Sequence, residues 1–480
     1  MFDKKVYVNR RRTLVEKMAQ RTEEGKRGIA VFLGNVDAPM NYRGNDYKFR
    51  QESSFIYYWG ITEPGFAGLI DLDSGEECLY GDDVSLDDII WMGPQPSVAS
   101  KAEKIGCAKS APYKAFEEAV VKAVQQGRTV HHLPAVRYYN TMKLAELTGA
   151  SQEAVRQVAS MKDGQKHASE ELVRCVVAMR LIKEDCEIVE IEKACDLGYL
   201  MHTEARRGCK PGVLEQEIVG RMEGVALSKG WGVSFTTILT QNGETLHNHN
   251  HHQIITPGRL LTVDAGVESN THYASDFTRT YPCSGKFTTK QREIYDLVES
   301  ANEVAYQYCK PGRMYYEVHF ETIKHLLQGL KDLDFVRGDV EEMAANGISG
   351  LFMPHGLGHN MGIDVHDMED LGENYVGYDE GQKRSPLLGL GNLRMARKLQ
   401  PGMVVTDEPG IYFIPALIAK WKKENIDKGV VNYAKLEEYY DFGGIRLEDD
   451  ILITADGARR LGSKRLPIKS DHIEELMAKE

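Results

Sequence analysis

Two stretches of this chain end a similar phrase on a carboxylate: TPGRLLTVDAG at 256–266 and QPGMVVTDEPG at 400–410. Pro257 matches Pro401, Gly258 matches Gly402, Thr262 matches Thr406, Asp264 matches Glu408 and Gly266 matches Gly410. An upstream echo keeps the same order, CKPGVLEQE at 209–217 and CKPGRMYYE at 309–317. Ordered self-similarity of this kind is the mark of an internal duplication. Each copy delivers an acid from a strand that follows a Pro-Gly turn. Halves facing one another would bring Asp264 and Glu408 together, and gathered acids need a reason such as a metal ion or a shared proton.

Alternate residues of a strand share a face. In YASDFTRTY, Asp276, Thr278 and Thr280 therefore oppose Phe277 and Tyr281, and in GGIRLEDDI, Arg446, Glu448 and Asp450 oppose Ile445, Leu447 and Ile451. Of these, Asp276 and Glu448 join Asp264 and Glu408 as four acids on two duplicated strand pairs, accompanied by the histidines of PHGLGH (354–359) and DVHD (364–367). Four carboxylates and an imidazole form a hard, oxygen-rich donor set without thiolate. Such a set suits Mn²⁺, Co²⁺ or a pair of such ions better than a structural zinc site, and paired ions activate water for hydrolysis.

The elements that must position these residues read as follows. The first third alternates strand-like runs such as GIAVFLGN (28–35) with helices such as AFEEAVVKAVQQG (115–127), an α/β layer pattern. The polar stretch MKDGQKHASEE (161–171) reads as a linker, giving an amino-terminal domain over 1–170 and a catalytic domain over 175–480. Ile188, Ile191, Ala194, Cys195 and Leu200 recur at helical spacing and predict a long helix from about 183 to 207, stopped by CKPG. A second helix is expected over 289–309 and another from the second CKPG to about 330. The order helix, strand, strand, repeated, implies a duplicated α+β domain whose curved antiparallel sheet is wrapped by helices. Polar insertions interrupt the second copy at about 368–395 and 414–441.

Composition sets bounds on this reading. The length of 480 residues suggests two domains, and a net charge of −12 argues against a nucleic-acid surface. No apolar run reaches the length of a membrane span, and MFDKKVYVNRRR lacks a signal-peptide core. Eight cysteines without a CxxC pair read as free, reduced thiols, so a cytoplasmic protein is expected, with no nucleic-acid or membrane partner.

The segments LTVDAG, YASDFTRTYP, FMPHGLGHNMGIDVHD, TDEPGIYF and GGIRLEDD together resemble the pita-bread metallopeptidases, in particular the proline-specific branch of prolidase and aminopeptidase P. FRQESSFIYYWGITEPG (49–65) resembles the amino-terminal domain of that creatinase/aminopeptidase P group. The resemblance implies that Asp264, Asp276, His359, Glu408 and Glu448 bind two divalent ions, Mn²⁺ first and Co²⁺ or Zn²⁺ as alternatives. By it Asp276 and Glu448 bridge the ions, His359 and Glu408 complete one site, and Asp264 completes the other. It further implies substrate-side roles for His247 and His366, supports from His355 and Arg446, a hydroxide between the ions as nucleophile, and Glu408 as proton shuttle. The expected substrate is a small peptide with proline second, and the expected assembly a homodimer or higher homo-oligomer.

Departures from the family pattern are local. Asp264 and Asp276 are twelve apart, one more than usual, which predicts a bulge in SNTHYAS; LTQNGETLH replaces a more usual Gly-Ser-Gly-Glu-Asn run; and Asp407 fills a commonly apolar slot. LGNLRMARKLQPGM (390–403) resembles the eukaryotic-type prolidase segment in which an arginine, here Arg394, clamps the terminal carboxylate of a dipeptide. The reading therefore leans to an Xaa-Pro dipeptidase, with aminopeptidase P as the alternative. The intact ligand set argues against a catalytically silent binding module, and the long amino-terminal domain against methionine removal. Alternation along HNHNHH (247–252) would set His247, His249 and His251 on one side as a third metal site, against the plainer reading of a polar loop around His247.

Overall fold

In the computed structural model, which describes residues 1–161 and 166–480, the chain divides into two compact units. The first comprises Met1–Arg180 with Met368–Tyr375, and the second Leu181–Asp367 with Val376–Glu480. Of the expected linker, residues 162–165 lie outside the described residues, and Glu170–Arg180 is already helical. The first expected insertion is divided, because its opening stretch Met368–Tyr375 belongs to the amino-terminal unit.

The amino-terminal unit is built on a five-stranded mixed sheet in the order Ser110–Ala111, Glu77–Tyr80, Ala67–Asp71, Ile29–Leu33, Val130–His131. The run IAVFL is buried at every position, as a continuous apolar strand must be. Phe116, Val120, Ala123, Leu144 and Leu147 pack on Ile29, Val31 and Leu33 to form its core. The segment that resembled the family's amino-terminal domain, 49–65, contains a helix, Ser53–Trp59. Glu52 caps it by accepting from the N–H groups of Ser54 and Phe55, and Gly60 ends it at φ 62°.

The second unit carries the duplication. In the first half, Leu260–Ala265 lies between Ile238–Thr240 and Phe277–Pro282, with Asp264 opposite Thr278 and Thr262 opposite Thr280. In the second, Val404–Asp407 pairs with Asp449–Ile453, so that Thr406 faces Asp450. The helices Asp185–Gly208 and Thr289–Tyr308 each end at a CKPG turn, and Glu215–Lys229 and Tyr315–Asp332 follow. The long first helix falls within two residues of its expected bounds, but Leu200 is 41% exposed while Met201 and His202 are buried.

Hydrogen bonds repeat with the fold. The Gly212 N–H donates to Ile255 O and the Gly312 N–H to Leu399 O; the Glu215 N–H donates to Gln253 O and the Tyr315 N–H to Arg397 O. Two segments, 241–256 and 394–399, thus hang from equivalent helix starts. The halves join where the Glu448 N–H donates to Thr278 O at 3.0 Å. Gly243 lies against Gly444 so closely that a Cβ there would stand 2.6 Å from the Gly444 carbonyl oxygen.

GGIRLEDD is not one strand. Gly444–Arg446 pairs with Gly410–Tyr412, Asp449–Ile453 pairs with Val404–Asp407, and both partners break between the ladders at Glu408–Pro409 and Leu447–Glu448. Pro409 has no N–H to offer a ladder, and its carbonyl accepts from Leu447 instead. Two acids therefore sit at interruptions, free of the alternation that governs regular strands.

Arg279 ties the two halves behind these acids. Its Nε donates to Pro467 O, Nη1 to the carbonyls of Thr278 and Glu448, and Nη2 to Leu466 O and to Asp449 Oδ1 at 2.6 Å. All of a guanidinium's donors are thereby used in a fully buried site. Arg279→Met should cost about 3 kcal/mol or more in urea unfolding, because buried carbonyls and a carboxylate lose their donor. Arg292→Ala, at a side chain 31% exposed, should cost less than about 1 kcal/mol.

Candidate metal centre

Asp276, His359 and Glu448 bring one ligand atom each to within 4.8 Å of one another, and all three residues are buried. Asp276 lies just before its strand, Glu448 at the interruption opposite, and His359 on a segment hydrogen-bonded to the Glu408 strand: Thr406 N–H donates to His359 O and Glu408 N–H to Leu357 O. His359 Nε2 lies 3.4 Å from Asp276 Oδ2 and 3.8 Å from Glu408 Oε1. His359 Nδ1 lies 3.1 Å from Asn360 O, which leaves Nε2 as the nitrogen turned to the acids.

Asp264 reaches the group from the other side through Arg446, whose Nη2 donates to Asp264 Oδ2 at 2.6 Å. Arg446 Nη1 donates to the Tyr412 hydroxyl at 2.7 Å, Nε to Thr278 Oγ1 at 3.3 Å, and Nη2 also to Leu246 O at 3.4 Å. The Thr278 hydroxyl in turn donates to Glu448 Oε2 at 2.6 Å. His355 Nε2 lies 2.9 Å from the Tyr412 hydroxyl, and its Nδ1 3.8 Å from Glu408 Oε2. One guanidinium thus connects an acid from the first half to the aromatic and imidazole groups of the second.

The remaining expected residues lie at the rim. The His366 ring is 3.9 Å from that of His359, centroid to centroid. His247 is exposed, on a turn whose neighbouring charges are Arg446, Asp264 and Arg394. Arg394 is half-buried, and its positive charge acts on Glu408, His359 and His247 alike. His247, His249 and His251 do not share a strand face: residues 241–250 lie outside any strand, with turns at 243–244 and 246–247, and His251 is buried with Nδ1 3.0 Å from Leu239 O. The expected bulge in SNTHYAS is a tight turn, with His272 at φ 71°. Asp407 points away from the group into a fully buried place, where neither carboxylate oxygen has a hydrogen-bond partner.

Tyr412 and Thr278 were not among the expected site residues. For Thr278 the signal was available, since it alternates with Asp276, whereas Tyr412 lies beyond the break at Glu408–Pro409, where alternation is no guide.

Electrostatics tests whether a cation fits. Burial, reinforced by the neighbouring acids, holds the Asp276 and Glu448 carboxyls well above the ordinary carboxylate range. Burial likewise pushes Glu408 up to about 8, against the pull of Arg446. Burial and the adjacent His366 hold His359 well below its usual value, and burial with Arg446 pushes His355 down to about 3. Asp276 Oδ1 is buried with no hydrogen-bond partner. Crowded acids that resist ionisation, a neutral imidazole and an orphaned oxygen are what a divalent cation would satisfy. Oxygen donors with one nitrogen and no sulfur favour a hard or borderline ion.

A sign for pH dependence follows for the metal-free protein. Glu408 titrates at about 8 when folded, above the ordinary 4.5, so the folded state holds a proton that the unfolded state has lost across that window. Its contribution to stability is complete below the lower value and is lost as pH rises through the upper one. The melting temperature of metal-free protein should therefore fall from about pH 5 to about pH 8 more steeply than that of Glu408→Gln, and added Mn²⁺ should remove the difference. Parallel profiles for the two proteins would contradict the assignment.

Comparison with known proteins agrees with this geometry. Residues 189–455 match the model of metallopeptidase family M24, and residues 7–131 match that of the aminopeptidase P amino-terminal domain. A human Xaa-Pro dipeptidase is 30% identical over 98% of this chain and 92% of its own length, and an Escherichia coli Xaa-Pro aminopeptidase is 30% identical over 98% and 97%. A structure of zinc-substituted E. coli aminopeptidase P in complex with product superposes with a TM-score of 0.78 at 28% identity, covering 100% of this chain and 99% of that one. The architecture is that of an aminopeptidase P-type amino-terminal domain followed by a duplicated pita-bread domain, and the chain belongs to metallopeptidase family M24.

Proposed function

We propose that this enzyme hydrolyses the bond between an amino-terminal residue and a following proline, and that its preferred substrate is the dipeptide Xaa-Pro. The observation that carries the reading is the buried convergence of Asp276, His359 and Glu448, with Glu408 beside them. Relatives of both names, dipeptidase and aminopeptidase, stand at 30% identity, so likeness alone does not choose between them. The choice of the dipeptide rests on Arg394, whose charge is felt at Glu408, His359 and His247. A forked guanidinium at that rim matches the free carboxylate of a terminal proline. Aminopeptidase P activity on longer peptides is the second reading, favoured by the full-length likeness to the E. coli enzyme's structures.

Asp264, Asp276, His359, Glu408 and Glu448 would hold two divalent ions, for which Mn²⁺ is our choice on donor hardness. When bound, the ions supply a water acidic enough to attack at neutral pH and a positive charge for the developing oxyanion. The chain's own groups do the rest. Glu408 takes the proton of the attacking water and returns it to the proline nitrogen as the C–N bond breaks, because a tertiary amide nitrogen leaves only when protonated. His247 and His366 donate to substrate oxygens, and a neutral His355 with Tyr412 and Arg446 keeps Glu408 and Asp264 in place. Cytoplasmic residence, supported by eight free cysteines, and a homo-oligomeric state complete the proposal. No helix among the described residues is long and apolar enough to cross a membrane.

The histidines should separate in a single experiment. His359→Asn should lower bound metal, whereas His247→Asn and His366→Asn should keep it and lose kcat; equal metal loss in all three would contradict these roles. Arg394→Ala should raise KM for Xaa-Pro by roughly 10- to 150-fold, the worth of a charge-assisted hydrogen bond, and leave Xaa-Pro-Yaa little changed. A wild-type enzyme that prefers Xaa-Pro-Yaa tenfold or more would replace the dipeptidase reading with the aminopeptidase one.

A further inference from the structure

Lys183 and Asp367 form an ion pair of 3.1 Å in which each side chain is only 1% exposed. Neither belongs to the groups assigned above. Lys183 precedes the helix Asp185–Gly208, and its N–H donates to Gly402 O at 2.8 Å. Asp367 directly follows His366. The segment from Asn360 to Asp367 contains no strand, and the Asp367 N–H closes its base on Asn360 O at 2.9 Å. Within it the Asp364 N–H donates to Asp367 Oδ1 at 3.3 Å. The first residues of the segment are held by the Met361 N–H on Val404 O and by Gly362 O accepting from the Ala274 N–H, and the Asp367 carboxylate and N–H close the turn that carries His366.

A buried ion pair is a poor device for mere cohesion, because desolvation of two charges offsets most of their attraction and an apolar pair would serve as well. It supplies direction instead, fixing one carboxylate along one axis. The pair also rests on a bare Cα: a Cβ at Gly362 would stand 2.5 Å from Asp367 Oδ2 and 2.9 Å from Lys183 Cε. The same small turn ends on the His366 ring, 3.9 Å from His359.

We infer that Lys183 and Asp367 are positioning residues for His366, holding its imidazole in register with His359 and with the substrate oxygen it serves. The inference rests on the role of His366 in the proposed peptidase reaction. It predicts that the pair matters to catalysis only while His366 is present.

The test uses the full-length Mn²⁺-loaded enzyme with Ala-Pro and Ala-Pro-Gly. Lys183→Met/Asp367→Asn, which removes both charges, should lower kcat tenfold or more with KM within threefold and bound metal unchanged. In a His366→Asn background the same double change should cost less than twofold, since residues acting through one group are non-additive. An equal cost in both backgrounds would overturn the inference. If the double variant does not fold, Gly362→Ala displaces the pair with both charges kept and enters the same cycle. A second readout needs no turnover: the His366 imidazole signal in the NMR spectrum of metal-free protein, identified by its loss in His366→Asn, should shift in the pair variants. An unmoved signal also overturns the inference. Should the wild type cut neither peptide, the peptidase reading fails, and the imidazole signal alone decides whether the pair positions His366.

Discussion

Four carboxylates in or beside a protein interior repel one another and lose hydration, and neither cost is met by the hydrogen bonds they receive here. Thr278 serves one oxygen of Glu448, Arg446 one of Asp264, and Asp276 keeps an oxygen with no partner at all. The surrounding structure holds this unfavourable arrangement in place. Arg279 grips the backbone on either side of the junction, and the Arg446 guanidinium donates to Asp264. An arrangement that resists ionisation without a cation is one whose repulsion a divalent cation would relieve.

The duplication gives a symmetric frame for an asymmetric chemistry. Asp264 and Glu408 are equivalent, but by the ladder registers Glu448 stands where the first half has Thr278, and the imidazole has no twin. In the register of the two half-sheets His359 takes the place of Thr240, which bonds locally to Asn242 and Asn248. Likewise the Arg446 guanidinium crosses from the second half to the first, whereas Arg279, on the first, turns to the backbone behind the acids. Backbone pairing is indifferent to these differences, so the two halves can carry different side chains on one ladder geometry.

Much of this was legible in the residues. The paired phrases gave the duplication and two acids, strand alternation gave Asp276, and helix ends fell within a residue or two of the CKPG turns. Other features depend on three-dimensional facts that no periodicity carries. Glu448 was found by assuming a continuous strand, yet it sits at a break that exists because Pro409 lies across from it. Leu200 matched a helical stripe but faces outward, since Met201 and His202 meet the sheet instead. The alternating histidines of 247–252 suggested a shared face, but the segment forms no strand, so alternation does not apply to it. Met368–Tyr375 joins the amino-terminal unit, a tertiary choice to which local composition is blind.

The repeated hydrogen bonds at Gly212, Glu215, Gly312 and Tyr315 have one more implication. The segment bearing His247 and the segment bearing Arg394 are suspended from equivalent helix starts, while the acids are borne by strands or by the breaks between them. In the proposed peptidase, lengthening or shortening either suspended segment would redraw the rim assigned to the peptide without shifting the floor beneath it. Such an architecture lets selection revise which peptide is admitted and how many residues it has, while the hydrolytic machinery is inherited untouched.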